Sequence, residues 1–133
     1  MATITKCEDL EIWQRARSLS KKIYPLTLKE SISKEYKLAD QMKGSSGYIA
    51  DNIAEGFDRG SRLEFINSLG IAREETGELK SQLYRCLDNN FISQQLFDEL
   101  YREADELIRK ISAFMEYLNK SSIKGQKFKD RKK

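Results

Sequence analysis

The chain has no histidine, one proline and two cysteines in 133 residues, and each scarcity removes a class of function. Without histidine it lacks the commonest general base near neutral pH and the usual partner that activates a serine or cysteine nucleophile. Carboxylate-bridged di-iron centres in helical bundles also use histidine, so Glu75 and Glu78, with Glu55 near them, do not complete one. Binding of Mg²⁺ or Ca²⁺ through oxygen alone needs more clustered carboxylates than the pattern supplies. No metal or other cofactor is expected. No apolar run approaches the roughly 18 residues of a membrane span, and Met1-Ala2-Thr3-Ile4-Thr5-Lys6 lacks the apolar region of a signal peptide. A cytoplasmic location with no membrane partner follows as the expectation. The cysteines agree with it: Cys7 lies near a frayed terminus, and Cys86 falls on an apolar helical stripe where cysteine behaves as a small hydrophobe, so no disulfide is expected. There is no phosphate loop of standard spacing, because Gly44-Ser45-Ser46-Gly47 follows a helical rather than a strand pattern. An enzyme is not expected, and no small-molecule substrate is identified.

What is present points to one compact domain. With 39% hydrophobic residues, a chain this long buries roughly two-thirds of its unfolded surface. The net charge of +3 conceals an uneven distribution. From Lys120 onward seven basic residues face Asp130 alone, a balance of +6, leaving 17 basic and 20 acidic residues, or −3, for the rest. The body is weakly acidic and the tail strongly basic.

Apolar residues recur at alternating spacings of four and three, which is one helical face. Asp9 is placed to cap a first helix carrying Ile12, Ala16, Leu19, Ile23 and Leu26. Pro25 should kink or end it near Tyr24, because proline lacks the amide hydrogen and disfavours helix in the residue before it. Residues 27–33 then form a connection. A second helix runs from Ser33 or Lys34 to about Glu55 through Leu38, Met42, Ser45, Ile49 and Asn52. Gly44 and Gly47 in its middle imply a bend or a closely packed neighbour. The third, from Leu63 to about Asn89, carries Phe65, Leu69, Ala72, Thr76, Leu79, Leu83 and Cys86. Its second seam includes Gly70 and Gly77, where another helix could approach closely. Asn89-Asn90 suits a left-handed cap and Ser93 an N-cap for a fourth helix bearing Phe97, Leu100, Ala104, Leu107, Ile111, Phe114 and Leu118. No segment shows the alternation of a strand. The expected fold is all-α, an antiparallel up-down-up-down four-helix bundle over residues 9–119, with a flexible segment at 1–8 and a basic, disordered tail at 120–133.

The chain is organised around residues 41–82, and within them around Asp51-Asn52-Ile53-Ala54-Glu55-Gly56-Phe57-Asp58-Arg59-Gly60. Gly56 and Gly60 are read as the backbone freedom of a tight reversal. Ser61-Arg62-Leu63-Glu64 has the form of a capping box.

Several blocks resemble a known family. Leu10-Glu11-Ile12-Trp13-Gln14-Arg15-Ala16, Ile23-Tyr24 with Leu26-Thr27, Asn52-Ile53-Ala54-Glu55-Gly56 with Arg59, Glu64-Phe65, Leu69-Gly70-Ile71-Ala72 and Glu78-Leu79 are similar to the small bacterial four-helix bundle proteins encoded in intervening sequences of large-subunit (23S) ribosomal RNA genes. The resemblance spans about residues 9–118. It implies a four-helix bundle assembled as a homopentameric ring, association with nucleic acid and no established enzymatic activity. Lys43-Gly44-Ser45-Ser46 stands where relatives commonly carry two arginines followed by small residues, Ala50 replaces a usual proline, and Pro25 stands where the family usually has lysine.

Three sets of residues are candidates for function. The family-motif residues Asn52, Glu55, Gly56, Arg59 and Glu78 are read as structural, because asparagine and glutamate at a helix end beside glycine usually satisfy local backbone or pair with a basic neighbour. Contacts to RNA or DNA are assigned to Arg15, Arg17, Lys21, Lys22 and Lys43, and to the tail residues Lys120, Lys124, Lys127, Lys129, Arg131, Lys132 and Lys133, where Phe128 offers stacking. Trp13, Tyr24, Tyr48, Ile66, Tyr84 and Phe91 lie off the core stripes and are assigned to a subunit interface. The functional expectation is a homo-oligomeric scaffold or adaptor with nucleic acid as partner. The competing expectation is a protein–protein assembly module with no nucleic-acid affinity.

Overall fold

The computed structural model describes residues 4–121, which form helices joined by short turns, with no strand among the described residues. The elements are α1 (Glu11–Leu28), a single turn α2 (Glu30–Ser33), α3 (Tyr36–Arg59), α4 (Arg62–Asp88) and α5 (Gln94–Ser121), preceded by a 3-10 turn at Cys7–Asp9. The four long helices pack as a closed circuit in which α3 lies between α1 and α4, and α5 between α4 and α1. Along α1 from Glu11 to Lys22, partners on α5 descend from Lys110 through Glu106 to Glu103 and Glu99. Along α4 from Arg73 to Lys80, they descend from Ser112 to Asp105.

The predicted stripes form the interior. Ala16, Leu19 and Ile23 of α1, Met42, Ile49 and Ile53 of α3, Leu69, Ala72, Leu79 and Leu83 of α4, and Leu100, Ala104, Leu107 and Ile111 of α5 are all buried. Burying each of the larger side chains stabilises the fold by roughly 1.5–3 kcal/mol. Phe65 joins three helices near one end, its ring edge-on to Phe57 at 6.0 Å and to Phe114 at 5.6 Å between centroids.

The caps are partly those expected. Ser61 accepts from the Glu64 amide and Ser93 from the Leu96 amide, so each serine satisfies an otherwise orphaned donor at the start of α4 or α5. Asn90 adopts the left-handed conformation that ends α4. Asp9 does not cap α1. It lies in the 3-10 turn, and Leu10 occupies the cap position without a side-chain hydrogen bond. Ile4 and Cys7 pack against the core, so the ordered body begins before residue 9.

Three backbone expectations are corrected. The first helix passes through Pro25 and ends at Leu28. Proline so near the C-terminus forfeits only one ladder bond, while buried Leu26 and Thr27 anchor the last turn and the Thr27 hydroxyl donates to the Tyr24 carbonyl. Gly56 is not part of the reversal. It is a buried residue inside α3, and only Gly60 takes the left-handed conformation, at φ 74°. Nor do Gly44, Gly47, Gly70 and Gly77 seat a neighbouring helix tightly. A Cβ at Gly47 or Gly77 would meet nothing within 4 Å, one at Gly44 would touch only Tyr48 of its own helix, and one at Gly70 would lie 3.8 Å from Met115. The close approach is at Gly56, where an added Cβ would stand 2.6 Å from the Ser68 Cβ of α4.

Candidate functional site

The central motif is a brace between α3 and α4. Asn52 donates its side-chain amide to the Tyr48 carbonyl one turn back. Glu55 and Arg59 pair at 3.3 Å along α3, and Arg59 reaches Glu64 across the corner at 3.9 Å. These are exposed pairs, each contributing at most about 1 kcal/mol. Gly56 supplies the close contact that lets Ser68 and Phe65 lie against α3. Glu78 is exposed on α4 and lies outside this brace.

The basic strip of α1 is partly neutralised. Arg15 pairs with Glu11 at 2.8 Å and with Glu106 at 3.1 Å, and Lys22 pairs with Glu99 and Glu103. These partners hold the Lys22 ammonium and Arg15 guanidinium charged, chiefly through the hydrogen bonds these cations donate to Glu103 and Glu11 respectively. Arg17 lies over the Trp13 ring at 5.8 Å and Lys43 over the Tyr24 ring at 5.7 Å. Lys21 and Lys120 are exposed. Lys124, Lys127, Phe128, Lys129, Arg131, Lys132 and Lys133 lie outside the described residues. The carboxylates at 99, 103 and 106 that face α1 were missed by sequence reading. Their spacing of four and three, matched against the cations of α1, is the signal that marks them.

Of the assigned interface residues, Trp13, Ile66 and Phe91 are half-buried against the core. Tyr24, Tyr48 and Tyr84 keep 51%, 55% and 47% of their surface in solvent, joined by Leu28, Tyr36, Leu63, Ile71 and Tyr117. Tyr84 belongs to an aromatic group with Phe97 and Tyr101, capped by Lys80 over the Tyr101 ring at 4.7 Å and bonded to Asp105 at 2.9 Å.

Remaining polar and thiol groups have local explanations. Gln82, buried between α3 and α4, donates to the Ser45 hydroxyl at 3.0 Å, while its carbonyl oxygen has no partner among the described residues. Burial pushes the Cys86 thiol up to about 11. Burial, assisted by Asp58 and Glu8, does the same to Cys7, which also reaches about 11. Glu75 is raised above the ordinary carboxylate value, first by desolvation and then by Glu78 and Glu74. Among the described residues no three acidic or thiol groups gather closely enough to hold a metal ion. No described helix is long and apolar enough to cross a membrane.

Comparison with known proteins agrees with the resemblance. A crystal structure of a protein of unknown function from the S23 ribosomal protein family of Bacteroides thetaiotaomicron VPI-5482 is similar at 22% identity and a TM-score of 0.72, over 78% of this chain and 97% of that one. That similarity establishes the shared fold alone. No curated protein matches the chain. The model of the 23S rRNA-intervening sequence protein family matches residues 8–113, and the chain belongs to that family.

Proposed function

We propose that the chain is a non-enzymatic, cytoplasmic, homo-oligomeric scaffold: an antiparallel up-down-up-down four-helix bundle that acts through its surfaces. The observation that carries the reading is the exposure of Tyr24, Tyr48, Ile71 and Tyr84 outside a circuit of helices whose core is already filled. Single exposed apolar groups are ordinary, but several large ones on adjacent helices favour burial against another chain. The family resemblance supports five copies.

Nucleic acid is the partner the charge distribution favours, and the tail is where it is met. The first 119 residues balance at −3 and the last 14 at +6, while Arg15 and Lys22 are already paired. Phosphate binding by such a tail releases counterions and therefore weakens with salt. The pairing of Arg15 and Lys22 on the α1 strip supports the second reading, an assembly module that binds protein and ignores nucleic acid.

Light scattering of the full chain with structured RNA, at low and moderate salt, tests the choice. The expected result is complex formation at low salt that disappears when Lys127, Lys129, Arg131, Lys132 and Lys133 are replaced by glutamine. An assembly that ignores RNA at both salts would leave the protein-binding module as the function.

A further inference from the structure

Unpaired charge of both signs lies on this surface. Among the described residues Arg17, Lys21, Lys29, Lys37 and Lys43 make no ion pair, whereas Arg15, Lys22, Lys80 and Lys110 do. These five run from the second half of α1 into the first half of α3, while Arg62, Arg73 and Arg85 on α4 and Arg102 on α5 also make no ion pair among the described residues, Arg73 and Arg85 bonding instead to Ser112 and Gln41. At mid-α4, Glu74, Glu75 and Glu78 have no cationic partner among the described residues, and neither do Asp40, Asp51 and Asp58 on α3.

Helical register assigns these groups to two seams flanking α3. The Lys43 ammonium over Tyr24 marks the outer α1–α3 seam, and Arg17 lies seven residues before Tyr24, on the same face of α1. The Gln41–Arg85 and Arg59–Glu64 contacts mark the outer α3–α4 seam. Tyr48 is seven residues from Gln41, Ile71 is seven from Glu64, and Glu75 and Glu78 follow Ile71 at four and seven, so all four belong to that seam. One edge thus gathers Arg17, Lys21 and Lys43 around exposed Tyr24, and the neighbouring edge gathers Glu75 and Glu78 around Tyr48 and Ile71, with Arg85 one heptad beyond Glu78.

We infer that copies of this chain dock head-to-tail, the Arg17–Lys21–Tyr24–Lys43 edge of one seating on the Tyr48–Ile71–Glu75–Glu78 edge of the next. This rests on the homo-oligomeric reading and adds to it the faces in contact. The two edges are unlike in charge and comparable in apolar character, which is the complementarity a heterologous interface needs. Their mutual angle also suits closure. Adjacent sides of a four-helix circuit face directions about 90° apart, and a heterologous contact closes a ring of four when its faces diverge by about 90° and of five at about 108°. Helix α3 then points toward the ring axis, with Asp40 and Asp51, which lie between the seams, facing the opening. Glu75, crowded by Glu74 and Glu78 within one chain, receives its counter-charge from the neighbour.

Charge reversal reads this out in solution. Lys21→Glu with Lys43→Glu, or Glu75→Lys with Glu78→Lys, should each reduce the wild-type mass to one chain with helical circular dichroism retained, and the chain carrying all four changes should regain it. Zero-length carbodiimide cross-linking of the unmutated protein, prepared as a mixture of light and heavy isotopes, should join Lys21 or Lys43 of one copy to Glu75 or Glu78 of another. An oligomer that ignores both reversals and lacks those cross-links would overturn the assignment of faces while leaving the homo-oligomeric reading intact. A wild-type monomer would overturn both.

Discussion

Replacing Gly56 by alanine should destabilise the protein even though alanine is the better helix former. In an open helix interior the change gains about 1 kcal/mol. Here the new Cβ would lie 2.6 Å from the Ser68 Cβ and 3.0 Å from Phe65 Cδ1, against a carbon–carbon optimum of about 3.5–4.0 Å. The Ser68 Cβ is fixed to its backbone, so no rotamer change relieves the clash and α3 must move from α4 by about 1 Å. That displacement loosens Ile53, Phe57 and Leu69, all buried nearby. Overpacking of this kind costs about 1–3 kcal/mol, and because Ser68 and Phe65 are both met, the upper part of that range outweighs the propensity gain. The net loss should be about 2 kcal/mol, or about 8 °C in Tm for a chain of this size. Thermal melts at one fixed protein concentration measure it. The control is Gly77→Ala, where nothing lies within 4 Å and the same change should stabilise by about 1 kcal/mol. Adding Ser68→Gly to Gly56→Ala should recover at least about 1 kcal/mol as coupling. A Gly56→Ala protein as stable as wild type, with no coupling to Ser68, would refute the close approach as the reason for glycine.

Other predictions follow from the same geometry. Both thiols should resist a disulfide reagent at pH 8 until the chain is unfolded, because a pKa of about 11 leaves roughly a hundred-fold less thiolate than an unshifted cysteine; rapid labelling of native Cys86 would contradict its burial. Glu11 and Asp105 are held below their ordinary values, chiefly by hydrogen bonds from Arg15 and Lys80. A depressed carboxylate stabilises the fold above its unfolded value and loses that contribution as pH falls through the folded one, so Tm should decline below about pH 4.5, with Glu11→Gln and Asp105→Asn flattening the decline. Gln82→Leu should change stability by less than about 1 kcal/mol, since the lost bond to Ser45 is offset by removing an unpartnered buried carbonyl. A loss above about 2 kcal/mol by chemical denaturation would show that the carbonyl has a partner.

The interior was legible because periodicity alone decides which face of a helix is buried. Leu19, Ile49, Leu79 and Leu107, read from spacing, are all in the core, and Ser61, Ser93 and Asn90 were recognisable as caps because their chemistry is local. What spacing did not reveal depends on neighbours distant in sequence. Gly56 looked like a turn residue beside Gly60, and only the position of Ser68 shows that it permits contact between helices. Arg15 and Lys22 looked available to phosphate until α5 brought Glu106, Glu99 and Glu103 across from them. Pro25 looked like a stop because the anchoring by Leu26 and Thr27 is tertiary. Trp13, Ile66 and Phe91, off the core stripes by spacing, are half covered by the protein itself.

The central claim is that this chain works as an assembly, and the native mass of the full-length protein, measured by mass spectrometry from buffer near physiological ionic strength, addresses it most directly. The account predicts a discrete species several times the 15.5 kDa chain, near five copies. A single 15.5 kDa species at every concentration tested would contradict it.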